Sequence, residues 1–226
     1  MLPILFILPT VFQSAALILL LLTIAVSFWA WAEPRWLDRW LLKPDRVWYQ
    51  REWWRVLTSG FIHKDYAHLG FNLFTFTFFG FEIERVCTLY FGRGRGAAAF
   101  LLIYVGGIII ANLPTVWRER NNSAYASLGA SGGVAAVLFA SIVLSPLRKL
   151  SLLFIPVGIP GFIFGLLYAA FSFVQARRQA PDGINHEAHL TGALYGLAVI
   201  LLLLPHTGAA CLAQIGGWLQ ATFSGR

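Results

Sequence analysis

Four polar side chains stand in otherwise apolar stretches of this sequence: His68 and Asn72 in one, Ser131 in a second and His189 in a third. A serine hydroxyl is a weak nucleophile until a base takes its proton, and histidine is the usual base. A carbonyl under attack develops negative charge on its oxygen, which preorganised donors stabilise. His68 and Asn72 are four residues apart, hence on one helix face. They can donate through a ring nitrogen and an amide. Ser131 lies in Gly129-Ala130-Ser131-Gly132-Gly133. The glycines permit close backbone approach, and N–H groups at the start of a helix there favour an anion. Together these residues could hydrolyse an amide through an activated serine.

Each piece alone has a plainer explanation. Gly-x-Ser-Gly arises by chance or as a small-residue helix contact. A membrane histidine is often a hydrogen-bonded packing residue, and Asn72 alone could join two helices. Gly192 and Gly196 form GxxxG, which in a span means close helix packing. Such packing would bring the helix of His189 close to that of Ser131. The conjunction, not any single motif, points to catalysis.

Composition dictates what must position these residues. Of 226 residues, 58% are hydrophobic and 12% charged, against about 25% charged in an ordinary soluble domain. A water-soluble globular enzyme is excluded. So is a disordered chain, which is poor in apolar residues. An integral membrane protein remains, with length for about six spans of roughly 20 residues. The net charge of +7, from 17 Lys+Arg and 10 Asp+Glu, sits in short loops, where it anchors the chain at headgroups. No contiguous basic face exists for nucleic acid. Cys87 and Cys211 lie in no CxxC, so neither a disulfide framework nor a zinc ribbon is expected.

The expected organisation is an apolar N-terminal tail over 1–10, a six-helix core over 11–205, and a C-terminal tail over 206–226. Val11 to Ala32 is the first span. Ala30-Trp31-Ala32 resembles a signal-peptidase site, but no Lys or Arg precedes the run, and it is too long for a signal peptide. Glu33 to Thr58 holds six Arg/Lys and five of the nine tryptophans, the composition of a loop half-sunk in the interface; Pro34 and Pro44 interrupt it. Further spans are expected over 66–86, 96–113, 131–144, about 160–175, and 188–204. A polar loop runs from Pro114 to Ser127. The stretch 150–159 reads as extended, and Pro160 suits the first turn of the fifth helix. Leu212, Ile215, Trp218, Leu219 and Phe223 form one apolar helical face in the tail, fit for an interfacial helix.

With six spans, the second, fourth and sixth cross in the same direction, so depths can be compared from the shared far side. Asn72 to Arg85 and Ser131 to Leu144 each cover about 20 Å, and His189 to Leu204 about 22 Å, at 1.5 Å per residue. In a core of about 30 Å all three polar groups lie roughly 8–10 Å below the surface. They share one buried layer.

These residues resemble the rhomboid family of intramembrane serine proteases over about 53–204. Trp54-Arg55 resembles the family's first-loop pair. His68-x-x-x-Asn72 resembles its oxyanion motif, and Gly80-x-x-x-Glu84 its structural pair at the end of the second span. Gly129-Ala130-Ser131-Gly132 resembles the nucleophile motif, and Ala188-His189-Leu190-x-Gly192-x-x-x-Gly196 the sixth-span motif. The resemblance implies an all-α six-transmembrane-helix bundle in the inner cell membrane, with a half-embedded first loop. It implies an endopeptidase with Ser131 as nucleophile and His189 as base. His68, Asn72 and the Ser131 amide would hold the oxyanion, and Trp54, Arg55 and Glu84 would be structural. Its substrates are transmembrane proteins with helix-destabilised segments, and neither cofactor nor metal is implied.

Two departures stand out. Many bacterial members carry a tyrosine four residues after the nucleophile, stacked on the catalytic histidine; here that position is Ala135. Another ring replaces it, or His189 is held less firmly. The family places both termini in the cytoplasm, which puts 11 of the 17 Lys/Arg outside, seven of them in the first loop and its edge. Two rival functions compete with this reading. His186-Glu187-Ala188-His189 is one residue short of the HExxH of a metalloprotease. A catalytically weak or inactive client-binding membrane protein would also carry polar residues in its spans, but would tolerate Ser131→Ala.

Overall fold

The computed structural model describes residues 14–151, 158–178 and 183–223. The apolar tail over 1–10 and most of the stretch over 150–159 lie outside them. The described elements are α1 (Ala15–Ala32), α2 (Pro34–Trp40), α3 (Pro44–Tyr49), α4 (Arg55–Thr58), a 3₁₀ turn (Ser59–Phe61), α5 (Tyr66–Phe91), α6 (Arg93–Glu119), α7 (Ser131–Leu144), β1 (Lys149–Leu150), β2 (Ile159–Pro160), α8 (Gly161–Arg178), α9 (His186–Leu203) and α10 (His206–Phe223). The architecture is helical, with one antiparallel two-residue ribbon pairing β1 and β2. Among the described residues three helices are long and apolar enough to cross a membrane: α1, α6 and α9. α7 is a shorter apolar helix.

α7 is the central element. Gly132 to Ser141 and Val143 are all buried, and α5, α6 and α9 all pack directly on it. Its residues are small or aliphatic, so neighbouring helices approach on every side. The main core joins Phe76 and Ile83 of α5, Phe100, Ile103 and Tyr104 of α6, Ala136 and Ala140 of α7, and Val199 and Ile200 of α9. Outward faces are apolar too: Phe71, Phe74 and Phe78 on α5 and Leu166 and Leu167 on α8 are exposed. That is the surface a lipid solvent requires.

Two boundaries differ from the sequence expectation, and two expectations gain detail. Pro34 and Pro44 do interrupt the first-loop region, and each opens a short helix in its first turn. That turn needs no proline N–H, and the ring presets φ. The third long helix does not stop at Leu113. It runs through Pro114 to Glu119, because Val116 is drawn into a small core with Leu42, Val47 and Val56. Tertiary packing there outweighs the lost hydrogen bond. Pro160 pairs in β2, and α8 begins one residue later. The tail forms a full helix, α10, of 18 residues, and within it Thr207 alone is buried.

Candidate active site

Local sequence sets the start of each helix that carries a candidate residue. Asp65 caps α5, its carboxylate accepting from the His68 N–H at 2.8 Å. Asn185 caps α9, accepting from the Ala188 N–H at 3.1 Å. The cap is tied sideways to α6: the Asn185 amide donates to Thr115 Oγ1 at 3.0 Å, Thr115 donates to Glu187 at 3.1 Å, and Arg118 pairs with Glu187 at 3.2 Å. The turn that carries His189 is therefore fixed to the end of α6.

α7 begins at Ser131 itself, preceded by Gly129 at φ +116°. An L side chain rarely adopts that conformation. A β carbon added there would also meet the His68 ring at 2.6 Å. Thus His68 lies directly against the backbone that leads into Ser131. The approach strand is held from outside as well. Leu42 and Ser127 exchange backbone hydrogen bonds of 2.9 and 3.1 Å, and the Gly129 N–H donates to the Ser59 carbonyl at 2.9 Å.

α9 closes on α7 through missing side chains. A β carbon on Gly192 would lie 2.2 Å from the Gly132 carbonyl oxygen, and one on Gly196 2.0 Å from that of Ala136. Only glycine permits backbones this close. The contact sets the first turn of α7 against the first turns of α9. Ser131 lines a small recess with Ser59, Asn112, Gly129, Asn185 and Ala188. A larger polar recess of about 250 Å³ lies alongside and shares Asn185; Arg118, Glu119, Asn122 and Tyr125 line its wall.

Ser131, His68 and His189 are half-buried. Asn72 is buried, one turn from His68, and its amide donates to the His68 carbonyl at 2.9 Å. Gly80 is buried beside the Phe76 ring. Glu84 caps α1: its carboxylate accepts from the Ser14 hydroxyl and the Ala15 N–H, both at 2.5 Å, and from the Ala16 N–H at 3.3 Å. Arg55 is buried and pairs with Glu52, while donating to the carbonyls of Asp38 and Leu41 at 2.9 Å each. Trp54 is exposed. Among the described residues no group of three or more His, Cys, Asp or Glu side chains converges as a metal site.

Two rings at the site were not singled out from the sequence. His63 is fully buried and sits edge-on to His68 at 5.0 Å between centroids. Its Nε2 accepts from the Ala130 N–H at 3.4 Å, so its Nδ1 carries the proton and donates to Ser27 Oγ at 3.0 Å. Ser27 in turn donates to the Phe61 carbonyl at 3.0 Å. That chain needs a neutral ring. Burial pushes His63 down to about 3, and the neighbouring His68 adds to the shift. The second ring is Tyr168 of α8. It lies nearly parallel to the His189 ring and offset from it, at 6.2 Å between centroids and 15° between planes. The spacing of His63 from His68 could have flagged the first. Nothing in the sequence pairs Tyr168 with His189.

The profile of the Rhomboid domain matches residues 50–206. The chain is 30% identical over 161 residues to rhomboid protease GluP of Bacillus subtilis (strain 168); the aligned part is 71% of this chain and 28% of that protein. It is 36% identical over 83 residues to putative rhomboid protease YdcA of the same strain, 37% of each chain. It is 31% identical over 147 residues to RHOMBOID-like protein 12, mitochondrial, of Arabidopsis thaliana, 61% of this chain and 43% of that one. The chain thus spans less than half the length of these relatives. With apolar helices of spanning length around one buried central helix, and a domain match across all the motifs above, this chain is a multi-pass membrane protein that belongs to the rhomboid family.

Proposed function

We propose that this chain is an intramembrane serine endopeptidase that cleaves peptide bonds within or beside transmembrane segments of other membrane proteins. The observation that carries the reading is the close approach of Gly192 to Gly132, which sets the turn of Ser131 against the helix of His189. His68 against Gly129, two residues before the serine, supports it. In this reading residues 11–205 form a six-span core in the inner cell membrane, with 206–226 as an appended tail.

The chemistry follows from these groups. His189 takes the Ser131 proton as Oγ bonds to the substrate carbonyl carbon. Charge on the resulting oxyanion is met by His68, Asn72 and the first-turn amides of α7. The C–N bond breaks, and His189 returns its proton to the leaving amine. Water then attacks the acyl–serine, His189 takes its proton, and the acid leaves as Ser131 is reprotonated. Water must therefore reach a site inside lipid. At 14 residues α7 is about 21 Å long, shorter than a hydrocarbon core of about 30 Å. Its first turn can lie below the bilayer surface, beneath the polar recess. A substrate helix hides its amides, so segments rich in helix-weakening residues are the expected substrates.

The test uses purified protein in detergent with a transmembrane substrate carrying a glycine- or proline-weakened segment. A fluorophosphonate probe should label Ser131, and Ser131→Ala and His189→Ala should each lose labelling and cleavage. Equal cleavage by wild type and Ser131→Ala sinks the assignment and favours a client-binding role.

A further inference from the structure

Four rings interleave between α8 and α9. Tyr168 and Phe171 stand three residues apart on α8, and His186 and His189 three apart on α9. Phe171 meets His186 edge-on at 5.5 Å and 81°. His186 meets His189 at 5.9 Å and 71°. Tyr168 lies nearly parallel to His189, within the distance range of offset stacking. Two of these contacts are edge-on, whereas Tyr168 and His189 set their ring planes nearly parallel and offset.

Tyr168 is itself held in place. Phe139 of α7 tilts against it at 5.5 Å and Phe164, one turn back on α8, stacks on it at 6.1 Å. Its ring packs on a cluster containing Ala135 and Ala193. These two alanines sit one turn beyond Ser131 and His189, respectively. Small residues at both positions leave room for a ring arriving from a third helix. That helix is peripheral: among its residues Gly161, Gly165 and Ser172 alone are buried.

We propose that Tyr168 is a positioning residue for His189, its ring face fixing the plane of the imidazole and favouring the imidazolium formed when His189 takes the Ser131 proton. A ring face attracts a cation placed over it, and in lipid a bare charge is costly. The aromatic face performs this role; the hydroxyl does not. The inference rests on the serine-protease reading above, with His189 as base.

The experiment compares wild type, Tyr168→Phe, Tyr168→Leu and Ser131→Ala, purified in detergent, on one transmembrane substrate. Tyr168→Phe should keep kcat within about twofold. Tyr168→Leu keeps bulk but removes the face, and should lower kcat by about three- to tenfold, the worth of one aromatic pair, with KM unchanged. Fluorophosphonate labelling of Ser131 should slow by the same factor. Leucine at the wild-type rate overturns the proposal. So does a loss in KM alone, or phenylalanine as slow as leucine. An active Ser131→Ala would sink the protease reading itself, so the two failures are distinguishable. Should Tyr168→Leu not purify folded, Tyr168→Met at wild-type kcat overturns the proposal in its place.

Discussion

The carbonyl oxygen of Gly132 stands 2.2 Å from where a β carbon on Gly192 would be. Below 3.0 Å something must move, and here the obstacle is backbone. Gly192→Ala should therefore push α9 from α7 and cost about 3 kcal/mol, the upper end of overpacking penalties of roughly 1–3 kcal/mol. Cleavage should fall more than melting temperature suggests, because a shift of about 1 Å at a catalytic pair can cost on the order of a hundredfold. Thermal denaturation in detergent beside a cleavage assay checks both. An alanine variant with wild-type stability and rate would show that the helices can part freely.

Arg55 ties its own segment to the end of α2, beside the approach to Ser131. It pairs with Glu52 and donates to the carbonyls of Asp38 and Leu41, next to Leu42, which pairs with Ser127. Arg55→Ala leaves a carboxylate and two carbonyls without their donor and should destabilise by about 2–4 kcal/mol. Arg55→Lys should recover little, since one ammonium cannot reproduce the fork. Chemical denaturation, followed through the first-loop tryptophans, measures the difference.

Glu84 closes the start of α1 across 70 residues of sequence, meeting the Ser14 hydroxyl and two backbone N–H groups. Its removal takes the anion from a helix N-terminus that favours one, leaving Ser14 to cap the Leu17 N–H. Glu84→Ala should cost about 1–2 kcal/mol, typical of a lost cap, and expose the α1–α5 contact to proteolysis. Glu84→Gln, which retains one acceptor oxygen, should fall between. Limited proteolysis of the variants gives the order.

His63 makes the fold acid-sensitive. A histidine in an unfolded chain titrates near 6.5, whereas burial pushes folded His63 down to about 3. Between these values the unfolded chain takes up a proton that the folded chain refuses, so stability falls as pH drops. Above about 6.5 the contribution is complete. A His63→Gln variant should lose stability at pH 7, yet show a shallower decline from pH 6.5 toward 4. Parallel melting curves for the two proteins test this. Equal slopes would mean that other groups set the acid limb.

The sequence alone determined the class of solvent and the identity of the helices. Its apolar runs, broken by charge and proline, mark nearly every long helix, because lipid forces backbone groups to be satisfied within one segment. Helical spacing put His68 and Asn72 on one face. Those are local or one-dimensional properties. Tertiary structure decided what depends on contacts between distant segments. Val116 holds α6 helical past Pro114 because its partners come from the first-loop region. His63 is neutral because Ser27 and Ala130 close around it. Tyr168 meets His189 because Ala135 and Ala193 leave a space that a third helix fills. A side chain's partners across a bundle follow from helix rotation and volume, and neither is written in the pattern of a single segment.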